Sequence, residues 1–176
     1  MASLHHGGVA TIDERLFSTI EAYLAAASGH EWTVVESDSA RVLVRLAGGS
    51  QRVMRVTRGF EPAATGDVRF IAHSRQDLQR LVDGIRGKAT LSGPELDAIA
   101  QRCSQTSPGP WTAFIESEGE PGSDAIRVSE LDSEPDMYLW FGDSLAPSAD
   151  YRLVAAARQY VPALLERLMN GNRSTP

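Results

Sequence analysis

The chain has 176 residues, 42% of them hydrophobic and 23% charged. This balance excludes intrinsic disorder and suits one medium domain or two small ones packed together, with a core that needs no staples. A formal net charge of −6 argues against a nucleic-acid partner, and a single cysteine, Cys103, excludes an intramolecular disulfide or a metal site of several thiolates.

In chain order, residues 1–10 read as a loose N-terminal arm with Gly7, Gly8 and the isolated pair His5-His6. They lack the basic start and apolar stretch of a secretory signal, and no run of eighteen apolar residues follows anywhere, so a cytoplasmic protein with no membrane partner is expected. Thr11-Ile12-Asp13-Glu14 has the spacing of a capping box, and Leu16, Phe17, Ile20, Leu24 and Ala27 then form one apolar helical face. Ser28-Gly29-His30 closes that helix. Strands are predicted at Trp32–Val35, Arg41–Leu46 and Arg52–Thr57, with a hairpin turn at Ala47-Gly48-Gly49-Ser50. A helix capped by Thr65 follows, with Asp67 in its first turn and a stripe of Phe70, Ile71, Ser74, Leu78, Leu81, Val82 and Ile85.

The second half repeats this order. Ser92-Gly93-Pro94-Glu95 offers a capping box with proline in the first turn, and Leu96, Ile99, Ala100 and Cys103 give the buried stripe. Strands are predicted at Trp111–Glu116, Ala125–Leu131 and Met137–Phe141. The last helix is capped by Ser148 and carries Leu153, Val154, Ala157, Val161, Leu164, Leu165 and Leu168. Pro162 is expected to kink or divide it near Gln159-Tyr160. Residues 171–176 form a tail.

Two stretches make the duplication explicit. TGDVRFIAHSRQDLQRLVDGI at 65–85 aligns with SADYRLVAAARQYVPALLERL at 148–168, and Glu31-Trp32-Thr33 aligns with Pro110-Trp111-Thr112. The expected fold is therefore α+β: two tandem helix–three-stranded antiparallel meander–helix units, 11–88 and 89–170. They would be related by pseudo-twofold symmetry, with helices packed on one face of the sheet. Sheets joined edge to edge into one compact domain are favoured over separate lobes, because an isolated three-stranded unit leaves its edges open.

The segments Ser107-Pro108-Gly109-Pro110-Trp111 and Ala149-Asp150-Tyr151-Arg152-Leu153-Val154-Ala155-Ala156-Ala157-Arg158-Gln159-Tyr160-Val161-Pro162-Ala163-Leu164-Leu165 resemble a widespread group of small bacterial and phage proteins of uncharacterised activity. That group has a PGPW start and an ending of the form D-x-x-F-I-A-x-A-R-x-D-[VI]-P-x-L-L. The resemblance covers residues 92–170 well and 11–86 as a decayed copy. Gly29-His30-Glu31, Gln79 and Tyr160 depart from the pattern. It implies a prophage or conflict-locus setting and supplies no catalytic residue.

No nucleophile elbow, phosphate loop, dinucleotide fingerprint or metal-ligand spacing appears, so a non-enzymatic chain without cofactor or metal is expected. Residues 1–88 hold eleven basic and ten acidic residues, and residues 89–176 hold six and thirteen, so the acidity lies in the second half. Its loops carry Glu116, Glu118, Glu120 and Asp124, then Asp132, Glu134 and Asp136. The adjacent strand carries the aromatics Tyr138 and Trp140. Together these predict a surface for a protein partner, such as a basic toxin or effector, and an immunity or inhibitor role; the alternative for the carboxylates is a solvated loop face.

Arg75 and Arg158 occupy matched places in the two long helices. They either bind a small anionic ligand or nucleotide between the repeats, or tether each helix to the sheet. A metal-dependent hydrolase using the loop carboxylates is the least favoured reading. Trp32 and Trp111 read as core anchors, Cys103 as a core residue and His73 as exposed. Arg41, Arg45, Arg52, Arg55 and Arg58 form an anion-binding stripe if their strands face solvent.

Overall fold

In a computed structural model of the chain, the described residues are 7–35, 40–118, 122–128 and 135–173, the side chains of 7–13 and 172–173 excepted. Their elements are α1 (Gly7–Ala26), β1 (Glu31–Val34), β2 (Arg41–Arg45), β3 (Gln51–Arg58), β4 (Glu61–Pro62), α2 (Thr65–Ile85), α3 (Gly93–Ser104), β5 (Thr112–Phe114), β6 (Ala125–Arg127), β7 (Met137–Phe141), β8 (Ser144–Leu145) and α4 (Ser148–Arg173). A single 3-10 turn at Glu116–Glu118 separates β5 from β6.

The strands pair antiparallel in one sheet of order β1-β2-β3-β7-β6-β5, with β4 beside β3 and β8 beside β7. The two halves meet where β3 pairs with β7, Met54 opposite Phe141 and Arg58 opposite Met137. Period-two patterning sorts the side chains. Val42, Val44, Met54, Val56, Met137, Leu139 and Phe141 all point to the buried face. The β2–β3 hairpin is closed by Leu46 N–H donating to Ser50 (2.8 Å), across a turn with φ of +86° at Gly48 and +84° at Gly49. Three residues, Ala47 to Gly49, lie between the paired Leu46 and Ser50, with Gly49 N–H donating to Leu46 C=O (3.1 Å), and glycine adopts the two positive φ values of this loop without strain.

The helices pack against that buried face and against one another, α2 on α4 most extensively. Each predicted stripe faces the core, with Leu16, Ile85, Ala100, Cys103 and Leu168 half-buried at its margins. Trp32 and Trp111 are both core anchors. The Trp32 indole donates to Ser28 C=O (2.8 Å), and Trp111 meets Phe70 edge-on, centroids 5.7 Å apart.

Two buried aspartates cross between the halves. Asp67, in the first turn of α2, accepts from the Ser107 amide (2.7 Å) and hydroxyl (2.8 Å). Asp150, in the first turn of α4, accepts from the Ser28 amide (2.6 Å). The last helix of each half is thus tied to the loop that follows the first helix of the opposite half. Gly66 lets α2 come close to the end of α3, since a Cβ there would lie 1.9 Å from Gln105 C=O.

Several expectations are corrected. α1 starts at Gly7, so residues 7–10 are helical and Thr11 lies inside the helix rather than at its cap. The α2 N-cap is Ala64, without a side-chain cap, and Thr65 is the first helical residue. The Ser92–Glu95 box forms as predicted. α4 is not divided at Pro162, and Val161, Leu164 and Leu165 continue its buried stripe on both sides of the proline. β5 ends at Phe114, since the chain turns into the 3-10 segment at Glu116. His73 is half-buried; burial, then the nearby Arg102 charge, lowers its pKa.

Candidate functional site: the open face of the sheet

The face opposite the core carries Arg41, Leu43 and Arg45 on β2, Val53, Arg55 and Thr57 on β3, and Tyr138 and Trp140 on β7. The β3–β7 register places Arg55 opposite Trp140 and Thr57 opposite Tyr138. The Trp140 indole donates to Thr57 Oγ1 (3.1 Å), which fixes the ring and leaves its body half-exposed. The Arg55 guanidinium lies 5.4 Å from the Trp140 ring centroid, within cation–π range, and Tyr138 stands 6.2 Å from the same ring. Arg55 is exposed and forms no ion pair with another described residue. Its cross-strand neighbour is Arg41.

Apolar exposure concentrates here as well. Val53 is 44% exposed, and Phe60, in the turn between β3 and β4, is fully exposed. A notch of about 200 Å³ opens between Arg41, Arg55, Thr57 and Phe60. Exposed aromatic and aliphatic side chains therefore share this face with arginine cations. Of the predicted arginine stripe, Arg41, Arg45 and Arg55 share this face. Arg45 pairs with Glu31 (3.2 Å), Arg52 lies over the Phe141 ring (4.4 Å), and Arg58 turns to Pro135 C=O (3.0 Å).

The predicted acidic surface is distributed differently. Asp124 accepts from the Glu116 amide (2.9 Å) and the Ser148 hydroxyl (2.5 Å), joining the 3-10 turn to the start of α4. Glu118 pairs with Arg152. Asp136 faces Arg127 (3.5 Å) at the rim of the open face, and the Glu116 side chain is exposed. Glu120, Asp132 and Glu134 lie outside the described residues. Among the described residues no group of three or more His, Cys, Asp or Glu side chains is arranged to hold a metal ion.

Arg75 and Arg158 line separate cavities. Arg75 donates from Nε to His30 C=O (3.2 Å) beside Leu24, Gln76 and Gln79. Burial lowers its pKa, against the pull of the Asp150 charge. Burial in turn raises the Asp150 pKa, with the Ser28 amide and the Arg75 charge opposing. Arg158 donates from Nε to Ser107 C=O (3.2 Å) and sits 5.6 Å from the Phe70 ring centroid. Both arginines therefore tether a long helix to the loop before the first strand of their own half.

The Arg55–Trp140 juxtaposition was not part of the sequence expectation. Tyr138 and Trp140 were visible as aromatics alternating with core residues, but pairing them with β3 requires the join between the halves. No helix of the described residues is long and apolar enough to cross a membrane. Comparisons with protein-family models, with curated proteins and with solved structures find no match to this chain.

Proposed function

We propose that this chain is a non-enzymatic interaction protein that docks a protein partner on the open face of its sheet. The observation that carries the reading is the cluster of Tyr138, Trp140 and Arg55, a half-exposed aromatic pair with a cation over one ring. Aromatic and arginine side chains are the residue types that dominate binding energy at protein interfaces. The partner presents carboxylates to Arg55 and apolar side chains to Trp140, Val53 and Phe60. This moves the expected charge contact from the acidic loops, where Glu118 and Asp124 are engaged within the chain, to the arginines of β2 and β3. The resemblance to small bacterial and phage proteins points to an immunity or inhibitor role in a conflict locus.

The face follows from the architecture. In this reading the halves are tandem copies of one α-β-β-β-α unit related by a pseudo-twofold axis through the β3–β7 pair. Three features support it: a strand order that mirrors about that pair, the matched stripes of α2 and α4, and the reciprocal bonds of Asp67 with Ser107 and Asp150 with Ser28.

The test is affinity capture from the native host with the wild-type chain and with Arg55→Glu and Tyr138→Ser, scored by mass spectrometry. One stoichiometric partner, retained by the wild type and lost by both variants at unchanged thermal stability, is the expected result. A partner retained by both variants removes this face as the site, and the absence of any partner removes the interaction reading.

A further inference from the structure

A cavity of about 530 Å³ lies between α3 and α4, on the side of the helices away from the open sheet face. Its walls are Ala100 and Cys103 from α3 and Pro162, Leu165 and Met169 from α4, with Arg158 at one end. The size is that of small-molecule sites. On α4 the lining positions fall four, seven and eleven residues beyond Arg158, so they form one helical stripe leading away from the guanidinium. Glu166, which also lines the cavity, lies eight residues along the helix from Arg158, a rise of ~12 Å at ~1.5 Å per residue, with Met169 and Asn170 beyond it. The cavity is therefore cationic at one end and mostly apolar beyond it, with its carboxylate well removed from the cation.

Arg158 is set for a ligand as well as for the fold. Its Nε donates to Ser107 C=O and its plane lies near the Phe70 ring, which hold the group in place. Its terminal amino groups make no hydrogen bond with the described residues. A fixed guanidinium with free terminal donors matches the two oxygens of a carboxylate. Cys103 adds an uncharged wall, since burial raises its pKa.

We infer that the groove between α3 and α4 binds an amphiphilic monocarboxylate, its head group on Arg158 and its apolar chain along Pro162, Leu165 and Met169. A saturated chain of about nine C–C bonds of ~1.5 Å spans roughly the available length. Decanoate is therefore the probe, and 1-decanol is the control with the same chain and no charge. This site is independent of partner docking on the sheet.

The chain's one cysteine reports occupancy directly. Below micellar concentration, decanoate is expected to slow alkylation of Cys103 by N-ethylmaleimide at least tenfold, and 1-decanol much less. Calorimetric titration is expected to give decanoate affinity at least tenfold weaker in Arg158→Gln. Because Arg158 also holds Ser107, Ala100→Trp supplies a second arm. It fills the groove from α3, leaves that bond intact, and should abolish decanoate binding. Equal protection by decanoate and decanol, no protection by either, or undiminished binding in the folded Ala100→Trp variant overturns the inference.

Discussion

Tyr151→Phe isolates one buried hydroxyl that sets the position of the aromatic strand. Tyr151, fully buried on α4, accepts from Leu139 N–H (3.0 Å) and donates to Leu139 C=O (2.9 Å). Leu139 lies between Tyr138 and Trp140 on β7. Its cross-strand neighbour Val56 sends its own polar groups the other way, to Ala40 C=O (2.9 Å) and Ala63 N–H (3.1 Å). The Val56–Leu139 pair is therefore a non-hydrogen-bonded one, and the tyrosine supplies the amide partner that the sheet does not. Without the hydroxyl, the carbonyl still accepts from Ala146 N–H (2.8 Å), but the amide is left buried and unpaired. That costs ~1–3 kcal/mol, and the ring itself is retained, so no large cavity term is added. The expected loss is about 2 kcal/mol, or ~4–8 °C in Tm for a chain of this size. Urea denaturation should show a lower midpoint at unchanged m, and hydrogen exchange at the Leu139 amide should accelerate. A stability change below ~0.5 kcal/mol with unchanged exchange at Leu139 would refute the argument.

Other perturbations test the packing of the helices. Asp77→Asn breaks the two-bond pairing with Arg102 (2.9 and 2.7 Å) that joins α2 to α3. The arginine is 20% exposed, so water offsets part of the loss, and about 2 kcal/mol is expected by urea denaturation rather than the ~3–5 of a fully buried pair. Gly66→Ala places a methyl against the Gln105 backbone oxygen and should cost ~1–3 kcal/mol by the same measurement, because that oxygen belongs to a capped helix end and has little room to shift. Glu95 is held at about 2, below its ordinary 4.5, chiefly by the Ser92 amide and then by Arg80 and the Ser92 hydroxyl. Its contribution is fully present above the unfolded value and is lost as pH falls from 4.5 towards 2. The stability difference between wild type and Glu95→Gln should therefore shrink across that window, and a constant difference would contradict it.

Much of this fold is legible from periodicity. The matched stripes of α2 and α4 read directly as helices because one face of each is buried, and Gly48-Gly49 reads as a turn because few other residues accept its backbone angles. Helix ends were less legible. Thr11 has the spacing of a cap, yet α1 continues back to Gly7, and Pro162 carries a break signal that packing on both sides overrides. The open face was half visible: alternation along Met137–Phe141 marks Tyr138 and Trp140 as facing away from the core. What completes it, Arg55 over Trp140, depends on strands about eighty residues apart meeting in a particular register. No local pattern encodes that register; it emerges only when both halves bury their helices against one sheet.

The same join bears on how the protein is made. β3 is central in the finished sheet, but on the ribosome it is an edge until β7 has been synthesised, some eighty residues later. At ~5–20 residues per second that interval is roughly 4–16 s. Throughout it the first half holds an open edge along β3, and until Ser107 is made, forty residues after Asp67, the aspartate lacks the serine that satisfies it. Arg52, Arg55 and Arg58, spaced along that strand, keep charge on the nascent edge and discourage pairing with neighbouring chains while it waits.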